Sequence, residues 1–329
     1  MNAFMSTQGG SSIGLAGVAG VLPPQRVTMQ DLASHGLLTS SPQVLGDLGF
    51  VAAHVADETH DAFWLARTAA EQALTDAQVS PDDIGLLVFA GGLADSHQVG
   101  PLHEVCDHTS LMSRFRYPSG RLQDELGLDR AEVLGIAQQG CASMFAAIRV
   151  ARNALLSQPE LEYAMCVGVD VLPPRAGREI VYNVISDAAA AVIVSRECSR
   201  DRWLGYHQLS RGYYWDTPAR QAEIIAAYYP TARLAIVELL DRHNLRPDDI
   251  DLVIPSGIQR RSWDVLLDLV QIPRQKLYEP GESFGHCICA DNFLYLQRLR
   301  REGLVQRGAK LLLFTYGFGS SWCCLLLEH

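Results

Sequence analysis

Two residues of this chain have the types and surroundings that nucleophilic catalysis needs, Cys141 and His286. A free cysteine with a pKa of ~8.5 is only a few per cent thiolate at neutral pH, so a reactive one needs its anion stabilised. Cys141 follows Gly140 at the predicted start of a helix, where free N–H groups and the helix dipole favour a thiolate. The alternative is a buried structural cysteine, which is common in protein cores.

His286 is the candidate general base, which would deprotonate the Cys141 thiol and later the acceptor. Asp291, five residues on, is the candidate partner that holds the tautomer of the imidazole. Residues five apart do not share a helical face, so this pairing requires His286 to precede the helix proper. The alternatives are a core or helix-capping histidine and an acidic residue that only favours a first helical turn.

An internal repeat predicts how these residues meet. Residues 80–84 read Ser-Pro-Asp-Asp-Ile and residues 246–250 read Arg-Pro-Asp-Asp-Ile. Each copy follows an amphipathic helix, Ala62–Ala77 or Ala232–His243, and leads into an apolar run typical of a strand covered on both faces. Because the copies stand about half the chain apart, we predict one duplicated α/β unit rather than a solenoid of short repeats.

The rest of the repeat places Cys141 and His286 at equivalent helix starts. A helix is predicted over Cys141–Leu156, and a second one is predicted to open at Gly285-His286-Cys287 and to run to about Arg301. A pseudo-twofold fold would bring these two helix starts together at its centre. The segments 104–128 and 203–229 are interpreted as irregular insertions that shape a substrate tunnel or a dimer contact, or as ordinary surface loops.

Composition and charge exclude several classes of protein. The 329 residues are 48% hydrophobic and 19% charged, which indicates a globular chain with a large core and not a disordered one. The chain has 37 acidic residues and 27 Lys and Arg, which gives a net charge of −10. This charge argues against binding to nucleic acid or to an anionic membrane.

The chain shows no sign of export. No apolar stretch reaches the ~18 residues of a spanning helix, and residues 1–12 are expected to be a flexible tail without signal-peptide features. Eight cysteines without a signal predict a cytoplasmic protein with reduced thiols. The cysteines near His286 match no zinc pattern and no glycine-rich phosphate loop follows the first strand, so we expect no metal and no cofactor.

Four motifs follow one another along the chain: Gly17–Pro24 in the first strand, Gly140–Ser143 at the candidate nucleophile, Ser186–Ala190, and Gly317–Trp322. In this order they resemble motifs of the thiolase superfamily, and most closely those of the β-ketoacyl-acyl-carrier-protein synthase III family. The resemblance covers nearly the whole chain and implies a five-layered α-β-α-β-α fold of two pseudo-twofold-related halves, residues 13–198 and 199–329. It also implies a homodimer that takes its acyl group from acyl-coenzyme A or an acyl-carrier protein.

The chain departs from this family at its catalytic positions. The family's His-Gln-Ala-Asn motif is replaced by Ser256-Gly257-Ile258-Gln259, so that Ser256 stands for the histidine. His286 stands for the family's asparagine, and Asp291 for a small residue. A Cys–His–Asp set of this kind resembles a divergent branch of polyketide and antibiotic pathways, whose members are mainly acyltransferases or starter-unit enzymes.

The resemblance implies two further sites. The backbone N–H groups of Cys141 and Phe318 are expected to form an oxyanion hole for the acyl carbonyl. Arg260 and Arg261 lie near where the family docks its carrier protein, and would supply a basic patch on an acidic chain. The alternative for the two arginines is a solvated helix face.

These residues predict an acyltransferase that moves an acyl group from a thioester donor through acyl-Cys141 to a hydroxyl, amine or thiol. Decarboxylative condensation in the family uses His and Asn together to stabilise an enolate, and Ser256 is a much weaker donor than the missing histidine. The alternative is a decarboxylative carbon–carbon condensing enzyme whose histidine has moved to position 286. A third reading is an inactive partner subunit of a heterodimeric synthase, against which the retained Cys141 argues.

Overall fold

A mixed sheet of nine strands runs through the computed structural model, which describes residues 12–93, 111–112, 115–281 and 283–329. The predicted tail therefore lies outside the described residues except for Ser12, and so does much of the segment 104–128. From one edge of the sheet to the other, the strands are Leu252–Ile254, Lys310–Gly317, Ser321–Glu328, Arg202–Ser210, Gly14–Val21, Ala188–Ser195, Tyr163–Asp170, Ile84–Ala90 and Glu132–Ile136.

Within its described residues, the first half contributes nine strands and five α-helices, one of which begins just after Cys141. In chain order the elements are β1 (Gly14–Val21), β2 (Arg26–Thr28), α1 (Met29–Ser34), α2 (Pro42–Asp47), β3 (Ala52–His54), α3 (Ala62–Ala77), β4 (Ile84–Ala90), α4 (Pro118–Leu126), β5 (Glu132–Ile136), α5 (Ser143–Ser157), β6 (Tyr163–Asp170), β7 (Glu179–Ile180), β8 (Asn183–Val184) and β9 (Ala188–Ser195).

The second half repeats this plan in shorter form. Its elements are β10 (Arg202–Ser210), α6 (Gln221–Arg242), β11 (Leu252–Ile254), α7 (Arg260–Val270), α8 (Asp291–Glu302), β12 (Lys310–Gly317) and β13 (Ser321–Glu328). The repeated Pro-Asp-Asp sequences form 3-10 turns at Pro81–Asp83 and Pro247–Asp249, each just before β4 or β11. The duplicated α/β architecture predicted from the sequence is thus confirmed.

The halves pack as five layers. Helices α5 and α8 share the central apolar cluster with the inner faces of both sets of strands, and their Phe145 and Phe293 rings lie 5.8 Å apart. Helix α3 covers the outer face of the first half, and α6 and α7 cover that of the second. The single residue pair Gly14–Arg202 between β1 and β10 joins the two sets of strands into one sheet.

Local sequence explains the elements that matter for the site. Strand β9 is buried at every position, as its run of alanines and β-branched residues requires between two helical layers. Helix α3 begins at the N-cap Asp61, whose side chain accepts from the Trp64 N–H. In α5 the first residues after Cys141 are small or apolar and buried, whereas Arg149 is exposed. The start of α5 therefore lies inside the protein.

Three sequence predictions need correction. The segment 203–229 is not irregular, since β10 occupies most of its first part and α6 starts at Gln221. The second-half helix opens at Asp291 and not at Gly285, because Ile288 has a left-handed φ of 53° that interrupts a right-handed helix. In segment 104–128, Pro118–Leu126 is helical. The domain boundary at residues 198–199 and the homodimer stay predictions.

In the described part of the chain, no helix combines the length and the apolar character needed to cross a membrane.

Candidate active site

Cys141 lies in a 3-10 turn, Gly140–Ala142, that leads directly into α5. Its side chain is 8% exposed, and its backbone carbonyl accepts a hydrogen bond from the Thr315 hydroxyl of β12 at 3.4 Å. Gly140 has a left-handed φ of 51°, which a glycine adopts without steric cost. The turn therefore presents one sulfur at the N-terminal end of a buried helix, where the dipole favours an anion.

His286 reaches this sulfur from the other half. Its Nε2 lies 3.3 Å from the Cys141 Sγ, although the residues are 145 positions apart in sequence. The backbone fixes the ring in place: the His286 N–H donates to the Val184 carbonyl at 2.7 Å, and the His286 carbonyl accepts from the Ser186 N–H at 3.0 Å. The pseudo-twofold meeting predicted from the repeat is present in the structure.

Asp291 holds the other ring nitrogen of His286. Its Oδ2 lies 2.5 Å from the His286 Nδ1, and both residues are buried. The same carboxylate accepts hydrogen bonds from the Gly257 N–H at 2.7 Å and the Cys287 N–H at 2.6 Å. Because α8 begins at Asp291, His286 precedes the helix, which is the condition set by the five-residue spacing.

Electrostatics favour a charged imidazole at this site. Burial by itself would lower the pKa of His286, but the charges of Asp291 and Cys141 and their hydrogen bonds raise it well above its usual value. A histidine that stays protonated next to a sulfur stabilises the thiolate form of that sulfur. The arrangement is therefore suited to a thiolate–imidazolium pair.

The neighbouring cysteines lack such a partner. Burial raises the pKa of the Cys287 and Cys289 thiols well above the usual range, and nearby aspartates add to the shift. Burial also raises the pKa of the Cys323 thiol to about 12. Raised pKa values favour the neutral thiol at these three cysteines, whereas the Cys141 sulfur lies beside a buried imidazole.

The predicted oxyanion-hole residues lie side by side. A Cβ on Gly140 would come within 2.7 Å of the Phe318 nitrogen, and one on Gly317 within 1.9 Å of the Gln139 carbonyl oxygen. The absence of side chains at these two glycines thus allows the Gly140–Ala142 turn to pack closely against residues 317–319. Over the described ranges, neither the Cys141 nor the Phe318 N–H donates to a protein acceptor, which leaves both amides free to bind a carbonyl oxygen.

Ser256 is buried at the end of β11, and its backbone carbonyl accepts from the Trp263 indole N–H. It lines a cavity that also contains Cys141 and His286. The docking candidates lie beyond it at the start of α7. Arg260 is paired with Asp264 at 3.0 Å and with Glu279, whereas Arg261 is exposed. Much of the charge of Arg260 is therefore neutralised locally.

Two buried polar residues that sequence reasoning missed position the site. The Asn292 amide donates to the carbonyls of Ile254, Pro255 and Phe314, which ties the start of α8 to the ends of β11 and β12. Asp170 accepts from the N–H groups of Gly92, Leu93 and Cys289. Most of their partners are backbone N–H and carbonyl groups, and the only signal in the sequence is a polar residue in an apolar segment.

Two cavities meet at Cys141 and His286. The larger, of about 660 Å³, extends past Gly92 and Leu172, and the smaller, of about 310 Å³, lies between α6 and the start of α7. Phe318 borders both. The apolar side chains packed around Cys141 on the larger side are Leu93, Leu172, Ile180, Ile185 and Ile288. Among the described residues, no cluster of His, Cys, Asp and Glu is arranged to hold a metal ion.

The chain is similar to known proteins along most of its length. Residues 240–329 match the family model for the C-terminal part of 3-oxoacyl-[acyl-carrier-protein] synthase III. A β-ketoacyl-[acyl-carrier-protein] synthase III of Rickettsia bellii is 24% identical over 332 aligned positions, which cover 95% of this chain and 98% of the relative.

Solved structures show the same fold. The synthase III of Aquifex aeolicus superimposes with a TM-score of 0.82 at 21% identity, over 96% of this chain and 100% of that one. ChlB3, described as an acyltransferase, superimposes with a TM-score of 0.81 at 21% identity, over 96% of this chain and 97% of that one. At these identities the likeness establishes the architecture, and the chemistry must be argued from the residues present.

Proposed function

We propose that this synthase III-like protein of the thiolase superfamily is an acyltransferase that works through an acyl-Cys141 intermediate. The observation that carries the proposal is the continuous chain from thiol to imidazole to carboxylate, with atoms 3.3 and 2.5 Å apart at the meeting point of two cavities. This is the geometry of a nucleophile, a base and a residue that orients the base.

In the first half-reaction the Cys141 sulfur attacks the carbonyl of an acyl thioester. The oxygen becomes negatively charged and is bound by the N–H groups of Cys141 and Phe318, and each such donor typically lowers the barrier by ~2.7–4 kcal/mol. The carbon–sulfur bond to the donor breaks, and His286 gives a proton from Nε2 to the leaving thiol. In the second half-reaction neutral His286 takes the proton of the acceptor as it attacks acyl-Cys141.

Ser256 favours this chemistry over decarboxylative condensation. Condensation forms an enolate from a malonyl thioester, and in the synthase III family a histidine and an asparagine stabilise it together. Here the first of these positions holds a hydroxyl, which is a weaker donor than an imidazole, and His286 is bonded to Asp291 and aimed at the sulfur. A single histidine so placed is suited to moving protons between the thiol and an acceptor.

The donor is proposed to be acyl-coenzyme A or an acyl-carrier protein, with Arg261 at the start of α7 as the contact for its anionic parts. Arg260 contributes less, because Asp264 and Glu279 already pair with it. Acceptors in this scheme carry a hydroxyl, amine or thiol. A place in polyketide or antibiotic synthesis and a homodimeric assembly remain predictions that follow from the resemblance.

Intact-protein mass spectrometry after incubation with a panel of acyl thioesters tests the proposal. We expect a mass increase of one acyl group on the wild-type chain and none on Cys141→Ala, since no other described thiol is hydrogen-bonded to an imidazole. Cys289→Ala is the matched control, because that thiol is buried near the site without being the nucleophile, and it should acylate normally.

Two results would contradict this function. The first is a wild-type chain that takes up no acyl group from any donor, which would favour an inactive partner subunit. The second is release of carbon dioxide from a malonyl thioester at the rate of product formation, which would establish the condensing alternative.

A further inference from the structure

The smaller of the two cavities at Cys141 has an unusual lining. Of the described residues that form its wall, none carries a charged side chain apart from His286. Tyrosine rings and isoleucines alternate there with uncharged polar groups, and two lining residues at its outer end, Tyr182 and Ile225, are about half exposed. A pocket of this composition favours a neutral ligand that has both an apolar face and hydrogen-bonding groups.

Several polar groups of this wall are free to bind such a ligand. Over the described part of the chain, the side-chain oxygens or amides of Tyr228, Ser256 and Gln259 have no protein hydrogen-bond partner. Other polar groups nearby are already engaged: the Asn183 amide donates to the carbonyls of residues 180 and 181, and the Tyr316 hydroxyl is 2.8 Å from the Ser320 hydroxyl. Tyr228, Ser256 and Gln259 thus differ from these engaged groups in that their side chains are open to a ligand.

Tyr228 is held rigidly except at its hydroxyl. Its ring packs edge-on against Tyr229 at 5.0 Å and Tyr316 at 5.4 Å, and its backbone carbonyl accepts from the Trp322 indole N–H at 3.2 Å. Burial raises the pKa of the Tyr228 hydroxyl far above neutrality, and the neighbouring tyrosines and Cys141 add to the shift. The hydroxyl is thus a fixed, protonated donor with no protein acceptor among the described residues.

The order of the two half-reactions indicates which ligand this hydroxyl meets. The acyl group stays on Cys141 between them, and the aliphatic wall of the larger cavity is suited to hold it. The donor thiol leaves from the side of the sulfur opposite the acyl chain, and the acceptor can then approach from that side. With the acyl chain in the larger cavity, the side open to the acceptor is the smaller cavity.

We propose that Tyr228 is a specificity-determining residue that binds an uncharged, hydroxyl- or amide-bearing acceptor in the smaller cavity. This inference rests on the proposed acyl transfer and adds the class of its acceptor. An acceptor hydroxyl loses its proton to His286 Nε2, and its oxygen forms a bond to the acyl carbon. The bond from that carbon to the Cys141 sulfur breaks, the sulfur leaves as a thiolate, and the proton stays on His286, which restores the thiolate–imidazolium pair.

The test separates the acceptor from the donor. Cys141 is first acylated with the N-acetylcysteamine thioester of the best acyl group, a truncated donor that lacks most of the natural donor arm. The acyl-enzyme is then mixed with neutral acceptors, 4-nitrophenyl glucoside and pantothenyl alcohol, and with the charged counterparts 4-nitrophenyl glucuronide and pantothenate. Loss of the acyl mass from Cys141 and formation of product are followed together.

We expect transfer to the neutral acceptors to exceed transfer to their charged counterparts by roughly tenfold or more. Tyr228→Phe keeps the ring and removes the donor, so it should slow transfer to neutral acceptors roughly three- to tenfold without changing the rate at which Cys141 is acylated. Tyr214→Phe removes a hydroxyl from a residue that lines neither cavity and should leave both rates unchanged.

Equal transfer by Tyr228→Phe and wild-type protein, no transfer to any of the neutral acceptors, or preference for the charged ones would overturn the inference. Failure of Cys141 to be acylated contradicts the proposed function instead. In that case calorimetric titration of 4-nitrophenyl glucoside into the wild-type and Tyr228→Phe proteins decides the inference alone: weaker binding by the variant supports it, and equal or absent binding overturns it.

Discussion

Asp291 illustrates how much one side chain contributes at the residue scale. Its two carboxylate oxygens accept from the imidazole of His286 and from two backbone N–H groups, so it orients the base and also fixes the segment that carries it. A neutral side chain of the same shape keeps part of the geometry and loses the charge. The two contributions can therefore be separated by experiment.

We expect Asp291→Asn to lower the pKa of His286, so that the imidazole loses its proton at a lower pH than in the wild-type chain. Burial alone would lower this pKa, and the Asp291 carboxylate is the main group that raises it. The amide keeps the shape of the side chain and removes the charge that favours the imidazolium. An NMR titration of the His286 ring from pH 5 to 10 measures the midpoint.

Asp170→Asn is the matched control for that experiment. Asp170 is also a buried carboxylate that accepts backbone N–H groups, but it does not contact His286. Its replacement should lower the free energy of unfolding and leave the midpoint of the His286 titration in place. An unchanged midpoint in Asp291→Asn would mean that the carboxylate does not govern the protonation of the imidazole.

The sequence predicts that Cys141 and His286 meet, because the repeat puts them at matching positions, and the family resemblance adds Asp291 as the partner of the imidazole. It could not reveal Asn292, whose amide binds three carbonyls from two strands and the segment after one of them. This role requires three backbone carbonyls that are distant in sequence to lie close together in the folded chain. The type and position of a single asparagine do not predict that arrangement.

At the scale of elements, the site is a contact between a turn and a loop. The Gly140–Ala142 turn fits against residues 317–319 only because glycines stand on both sides of the contact. The repeat predicted the two helix starts but not where the second helix begins. Asp291 can bind the Cys287 N–H and the His286 ring only if residues 286–290 leave the helical path, and local propensity does not encode that requirement.

Gly140→Ala should damage this contact more than the loss of a glycine alone explains. The new methyl group would lie 2.7 Å from the Phe318 nitrogen, in a backbone with a φ of 51°. The left-handed conformation costs ~1–2 kcal/mol, and displacement of the 317–319 loop adds to it and disturbs the oxyanion-hole donors. We expect a lower free energy of unfolding in urea and a large loss in the rate of Cys141 acylation.

Gly36→Ala separates the two causes. Its φ of 69° is equally left-handed, but a Cβ there meets no atom within 4 Å. It should show the conformational cost and acylate Cys141 at the normal rate. If both variants acylate alike, the fit between turn and loop is not what shapes the site.

Across the whole molecule, charged residues join parts of the chain that are far apart in sequence. Asp201, fully buried just before β10, is paired with Arg300 of α8, and its Oδ1 lies 2.6 Å from the ring of His329. Arg300 also pairs with Asp76 of α3 at 3.0 Å. The network therefore links an outer helix, a central helix and the C-terminus, which the sequence repeat gave no means to predict.

Asp201→Asn should destabilise the whole chain by about 3 kcal/mol at pH 7, since it leaves Arg300 buried without its nearest carboxylate. Burial by itself would raise the pKa of Asp201, but Arg300 and His329 together lower it below its usual value. A carboxyl group with a lowered pKa stabilises the fold above its ordinary pKa of ~3.9 and loses that contribution as the pH falls through the folded value. The difference in free energy of unfolding between wild type and variant, measured in urea, should therefore be largest at pH 7 and shrink below about pH 4.

Glu328→Gln is the control, because it removes one half of an exposed pair with Arg202 and should cost less than ~1 kcal/mol. A gap for Asp201→Asn no larger than that of Glu328→Gln, or one that stays constant with pH, would show that the buried network does not hold these elements together.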